Sequence, residues 1–285
     1  MHSAGLLCIG NLLSLAPRVA SKVFRARTAS NPTHPLAASH YWNKYFPRYD
    51  PMHVNDHRGV ISHTAGSILS KLVSSCRRLG RTQQQRLNQI NALMKEHQKN
   101  HNTAHRMPTL RLQDLKAVGG WGCLTGRVVK AANTRAMLPF LLELVEEYFG
   151  GAESYDRSVR KVVASLVGIQ KIFYSSGMFI SDEKQTELKT HFERYERHWQ
   201  NLRHLSDLVR ENNWQITPKV HYSCHFVDLA KLINPVSTQC YGEESLIGRV
   251  AKIWRASASG PYHATIQRTT LNRYWVGLEL RVSIL

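Results

Sequence analysis

Apolar positions in this chain recur three and four residues apart, the spacing of a single helix face. Val60, Ile61, Ala65, Ile68, Leu69, Leu72, Val73, Cys76 and Leu79 make one such stripe, and Leu87, Ile90, Leu93 and Met94 continue it through residues 83–100. Met107-Pro108 reads as a loop, and Gly119-Gly120-Trp121-Gly122 breaks the pattern. A helix is predicted over residues 130–149, stopped by Gly150-Gly151, with Pro139 as a kink or boundary. Another follows over 155–176, stopped by Gly177. Ser181-Asp182 then caps a long charged helix to about Asn212, whose seam is Leu188, Phe192, Tyr195, Trp199 and Leu202. Two more helices are expected at 243–258 and 262–280, and strand-like sequence is confined to a short run near 126–129. The expected fold class is all-α, an irregular helical array without an internal repeat.

Composition adds one anomaly. The 285 residues are 42% hydrophobic and 9% aromatic, ample for a core, yet 38 Lys+Arg face 20 Asp+Glu for a net charge of +18. Such a balance favours a polyanionic partner, DNA or RNA before an anionic membrane. No apolar run reaches the roughly 18 residues of a membrane span. Residues 1–111 carry +13 of the total, and residues 1–49 contain no acid at all. That first segment, with Arg18, Lys22, Arg25 and Arg27, reads as a basic leader and linker, partly disordered and similar to an organellar transit peptide. Residues 50–285 then form the helical domain. Five scattered cysteines, never in a C-x-x-C pair, indicate a reducing compartment.

Two segments hold most of the candidate chemistry. Asp50, Met52, His53, Asp56, His57 and His63 crowd one stretch, and His53 and His57 sit four apart, a spacing compatible with metal ligation. Asp50 or Asp56 capping a helix explains the same residues without a metal. The second segment runs from His221, Cys224 and His225 through Asn234-Pro235-Val236 to Tyr241-Gly242-Glu243-Glu244. A histidine pair on a helix is the simpler reading of its first part, and carboxylates at a helix start suit the helix dipole. Arg249, Lys252 and Arg255 follow at three-residue steps around Trp254, with Arg268 and Arg273 further on, a stripe suited to phosphates or to a solvated face.

In this order, the two segments resemble the C-terminal half of CACTA (En/Spm)-type DNA transposases. Asp50, Met52 and His53 match that family's D-x-M-H, and Gly66-Ser67-Ile68-Leu69 its Gly-Thr-Leu-Leu-like run. His221 and His225 match H-x-x-x-H, Asn234-Pro235-Val236 a Gly-Pro-Val, and Tyr241 to Glu244 its Tyr-x-x-Glu. The resemblance implies an RNase H-like catalytic domain interrupted by a helical insertion. Of that domain this chain would hold the insertion and terminal helices without the β-sheet core. It also implies Glu244, Asp50 and His53 as catalytic residues, with Asp50 and Glu244 holding Mg²⁺. Two such ions about 3.5–4 Å apart would activate the attacking oxygen and steady the leaving one. Ser245 stands where the family has Arg, Asn234 where it has Gly, and only an acid-free segment precedes Asp50, where the first catalytic Asp belongs.

The leading expectation is therefore a transposase-derived, DNA-binding nuclear protein, truncated or domesticated and without strand-transfer activity of its own. If active, it would perform Mg²⁺-dependent cleavage and strand transfer. The alternative is an all-helical scaffold or RNA-associated protein of the mitochondrion or plastid. A metal-dependent hydrolase built on Asp50, His53, Asp56 and His57 is a third class.

Overall fold

The structure is a computed structural model that describes residues 50–103, 107–115, 122–124 and 130–257, with the side chains of 242–247 and 256–257 outside the description. Among the described residues every regular element is helical and no strand occurs, so the fold is all-α. After a π-helical turn at Met52–Asp56 come α1 (Val60–Ser75), α2 (Gln83–Asn100), α3 (Ala131–Ala136), α4 (Leu138–Tyr148) and α5 (Ser154–Ser175). The long α6 (Asp182–Leu208), the short α7 (Pro218–Cys224) and α8 (Phe226–Ala230), and α9 (Tyr241–Ser257) complete the order. The strand-like run at 126–129, Trp121 and the helix expected at 262–280 lie outside the described residues.

Helix α1 is the axis of the core. Every residue from Val60 to Leu69 is buried, so no side of this stretch faces water. Its hydroxyl side chains are paired: Ser62 Oγ donates to the Asp56 carbonyl at 3.0 Å and Thr64 to the Val60 carbonyl at 2.8 Å. Ser67 Oγ donates to the Gly122 carbonyl at 3.1 Å and accepts the Trp214 amide at 3.2 Å. The segment at 122–124 crosses so close to α1 that a Cβ on Gly66 would lie 2.4 Å from the Cys123 Cα. Only glycine permits that approach.

Helices α5 and α6 form an antiparallel pair. Ser158 meets His198, Gly168 meets His191, and Ser175 meets Lys184, positions that run in opposite directions. Val159, Val162, Val163 and Ile169 on α5 are buried, as is the α6 seam of Leu188, Phe192, Tyr195, Trp199 and Leu202. Trp199 packs edge-on against Trp214, ring centroids 5.1 Å apart, as the sequence reading of Trp199 as core requires.

Some boundaries differ from expectation for physical reasons. The helix expected over 130–149 is two helices broken at Met137, and Pro139 takes the second position of α4, where its missing amide costs nothing. Helix α6 ends at Leu208 rather than Asn212, because the chain turns through left-handed φ values at Arg210 and Trp214 to insert Trp214 into the core. Ser181 is its N-cap by position but makes no side-chain cap bond.

One charged group closes the core at the far end of α1. The Arg86 guanidinium, 8% exposed, donates to the carbonyls of Val73, Ser74, Gly80 and Arg81 at 2.7–3.1 Å. It therefore caps the last turn of α1, where a cation also suits the dipole. Arg86→Leu should lower unfolding free energy by about 2–4 kcal/mol, because buried carbonyls would lose their donors. Urea denaturation of the two proteins measures this directly, and a change within about 0.5 kcal/mol would show that the guanidinium is not a cap.

Candidate functional site

The π-helical turn at Met52–Asp56 and the start of α9 are about 190 residues apart in sequence and meet in space. Asp50 anchors the first. Its carboxylate accepts the amides of Met52 at 3.1 Å and His53 at 3.3 Å, and its Oδ2 lies 2.5 Å from His53 Nδ1. The capping role read from the sequence is present. The same carboxylate also accepts the Cys240 amide at 3.2 Å and the Cys240 thiol at 2.9 Å. Cys240 immediately precedes α9, so one carboxylate serves the N-terminal ends of two helical segments. Burial alone would raise the Asp50 carboxyl, but the bonds from Cys240, His53 and the Met52 amide outweigh it and hold it below its ordinary value.

Asp56 makes the second link. It is buried, and Tyr241, the first residue of α9, donates its hydroxyl to Oδ2 at 2.6 Å. Burial pushes the Asp56 carboxyl up to about 7, while the Tyr241 bond and the charge of Arg135 act against the rise and Asp50 adds to it. Arg135 on α3 lies over the rings of Tyr174 and Tyr241, 4.6 and 4.9 Å from their centroids, and also donates to the Tyr174 hydroxyl. Tyr174 in turn donates to Gln239 at 3.0 Å. Burial raises the Tyr241 phenol, and the neighbouring Asp56 charge raises it further.

The remaining motif residues frame this junction. Asn234, 2% exposed, donates to the Phe173 and Gly177 carbonyls at 2.8 and 2.9 Å and so closes the C-terminal end of α5. His221 and His225 face one another, Nε2 to Nε2 at 3.2 Å, and are half-buried. Burial, and then His221, lower the His225 imidazole. Lys219 donates to the His57 carbonyl at 2.7 Å, which ties α7 to the end of the π-helical turn. His63 on α1 is pushed down to about 4, mainly by burial, and so is neutral at pH 7.

Of the expected site residues, Asp50 and His53 are brought together. Glu244 lies on the first turn of α9, with its side chain outside the description. Arg249, Lys252 and Arg255 are exposed on α9, whereas Arg268 and Arg273 lie outside the described residues. The sequence reading did not single out Cys240 as the partner of Asp50, Tyr241 as the partner of Asp56, or Arg135 at all. It also missed a basic cluster on α5 and α6 formed by Lys161, Arg194 and Arg197. None of the three forms an ion pair with a described carboxylate. Burial first, then the charges of Arg197, Lys161, Arg194 and Arg157, lower the His198 imidazole beside them.

Asp50, His53 and Cys240 offer ligand atoms within 4.8 Å of one another. This oxygen, nitrogen and sulfur set does not suit Mg²⁺, which prefers oxygen ligands in octahedral order. Asp56, the other described carboxylate here, is committed to Tyr241. Glu244, the other residue to which the resemblance gives Mg²⁺, has its side chain outside the description.

No family model, curated protein or solved structure matches this chain. Among the described residues no helix is long and apolar enough to cross a membrane.

The raised Asp56 carboxyl makes a pH prediction. Between the ordinary value of 3.8 and about 7 the folded protein holds a proton on Asp56 that the unfolded chain releases, so this group costs stability as pH rises through that window. His63 acts with the opposite sign, because its folded-state value of about 4 lies below the ordinary 6.5 and stability is lost as pH falls between them. Asp56→Asn removes the Asp56 trend and leaves those of the histidines in both proteins, so the variant's stability relative to the parent should rise from pH 3.8 to about 7 and then level off. Denaturant midpoints across that range measure it; a difference that is flat with pH would mean Asp56 is ionised throughout.

Proposed function

We propose that this chain is a transposase-derived DNA-binding protein of the nucleus that lacks strand-transfer activity of its own. The observation that carries the reading is the junction itself. The Asp50–His53 segment and the Tyr241–Glu244 segment, which together resemble the CACTA motifs, meet through Asp50–Cys240 and Asp56–Tyr241. Support for the inert part comes from how the carboxylates beside the first motif, Asp50 and Asp56, are used. Asp50 is taken up by two amides near itself and by Cys240, and Asp56 by a phenol, so both act as clasps. The DNA part rests on exposed cations: Arg249, Lys252 and Arg255 directly after the junction, and Lys161 and Arg197 on α5 and α6. Phosphate contacts of this kind position a protein on a duplex without reading its sequence.

Duplex binding followed by fluorescence anisotropy over a range of salt tests the reading. Affinity should fall steeply with salt, and replacing Arg249, Lys252 and Arg255 by Ala should reduce the slope of log K against log salt by about 3. Failure to bind duplex at low salt would overturn the DNA partner, and preference for RNA would favour the scaffold or RNA-associated reading. Incubation of DNA ends with Mg²⁺ or Mn²⁺ should give no cleavage. Cleavage that Glu244→Ala abolishes would overturn the inert part.

A further inference from the structure

A second cluster of ligating groups lies in a different part of the fold, in the cleft between α2 and α4. His97 belongs to the last turn of α2, His101 is its C-cap residue, and Glu143 projects from α4. One carboxylate faces both imidazoles: Glu143 Oε2 lies 2.8 Å from His97 Nδ1, and Oε1 lies 3.3 Å from His101 Nε2. The two imidazole ring centroids are 4.3 Å apart, so both rings stand on the same side of the cleft as the carboxylate. We propose that His97, His101 and Glu143 bind a divalent transition-metal ion, zinc by preference.

Five features support the assignment. The ligand atoms all lie within 4.8 Å of one another. Tetrahedral zinc with bonds of about 2.0–2.1 Å holds its ligand atoms about 3.3 Å apart, the separation of His101 Nε2 from Glu143 Oε1, whereas His97 Nδ1 faces the other oxygen at 2.8 Å, so a small side-chain adjustment brings all three onto one ion. The donor set, two imidazoles and a carboxylate, is one that zinc takes and Mg²⁺ does not favour. The position also suits a cation, because His97 and His101 stand at the carbonyl end of α2, where the helix dipole is negative. The cleft, about 490 Å³, brings in Glu96 as well, in a chain whose net charge is +18.

Packing fixes one of the three ligands. His97 is 6% exposed and packs against Phe140, ring centroids 5.6 Å apart. Helix α2 is fixed at its other end by the Thr82–Gln85 capping box. His101 and Glu143 are exposed, so an ion reaches them from solvent and keeps a fourth position open to the cleft. The second nitrogen of His97, Nε2, is buried with no hydrogen-bond partner. No acceptor therefore locks the ring in the ligating tautomer, which sets the affinity below that of a site with a complete outer shell.

Untagged full-length protein titrated with Co²⁺ alone, and then with Zn²⁺, tests the proposal. One equivalent of Co²⁺ should give the visible absorption of a tetrahedral site without a thiolate charge-transfer band, and Zn²⁺ should displace it. His101→Ala and Glu143→Gln alter exposed side chains, and each should weaken Zn²⁺ binding by more than about tenfold with an unchanged circular dichroism spectrum. A thiolate band would instead place the ion at a cysteine, outside this cluster. That result, binding that persists in both variants, or no stoichiometric binding would overturn the assignment.

Discussion

A helix buried around its whole circumference dictates the rest of this fold. From Val60 to Leu69, α1 has no solvent-facing side, so other elements must cover it on every side and every polar group on it needs a protein partner. The segment at 122–124 can cross because Gly66 leaves room, and Trp214 reaches the core because Ser67 accepts its amide. Both ends of α1 need polar closure as well. Arg86 supplies it at the C-terminal end by donating to four carbonyls. At the N-terminal end the π-helical turn does so, with Ser62 returning a bond to the Asp56 carbonyl.

That closure links architecture to the candidate site. The turn that starts α1 carries Asp50 and Asp56, and the two carboxylates face opposite electrostatic demands. Asp50 is surrounded by donors and stays ionised, whereas Asp56 is buried enough that its proton is retained to about pH 7. Charged and nearly neutral carboxyl groups thus share one turn, and each binds one of the two residues at the start of α9. Their oxygens accept from a thiol, amides and a phenol, an arrangement that holds α9 and its exposed cations against the core.

Helix existence was legible in the sequence wherever an apolar seam repeats, as at Leu188, Phe192, Tyr195, Trp199 and Leu202, because burial of one face leaves a period. The helix boundary beside Pro139 and the stop at Gly150 were legible because those residues act locally. Asp50 and His53 were legible as a chemically dense segment. Their partners were not: a single hydrogen bond between residues 185 or 190 apart, such as Tyr241–Asp56 or Cys240–Asp50, leaves no periodic trace. Arg86 reads as a surface residue until its position over the end of α1 is known. His97 and His101 carry the same four-residue spacing as His53 and His57, and only the fold places Glu143 between their ring nitrogens.

The central claim, that the carboxylates at the entry to α1 are structural clasps between distant segments, is tested most directly by a double-mutant cycle on Asp56→Ala and Tyr241→Phe. Unfolding free energies of the parent, the two single variants and the double variant should reveal a coupling of about 1 kcal/mol or more. Additivity within about 0.3–0.5 kcal/mol would mean that the two residues act independently, and would contradict the account.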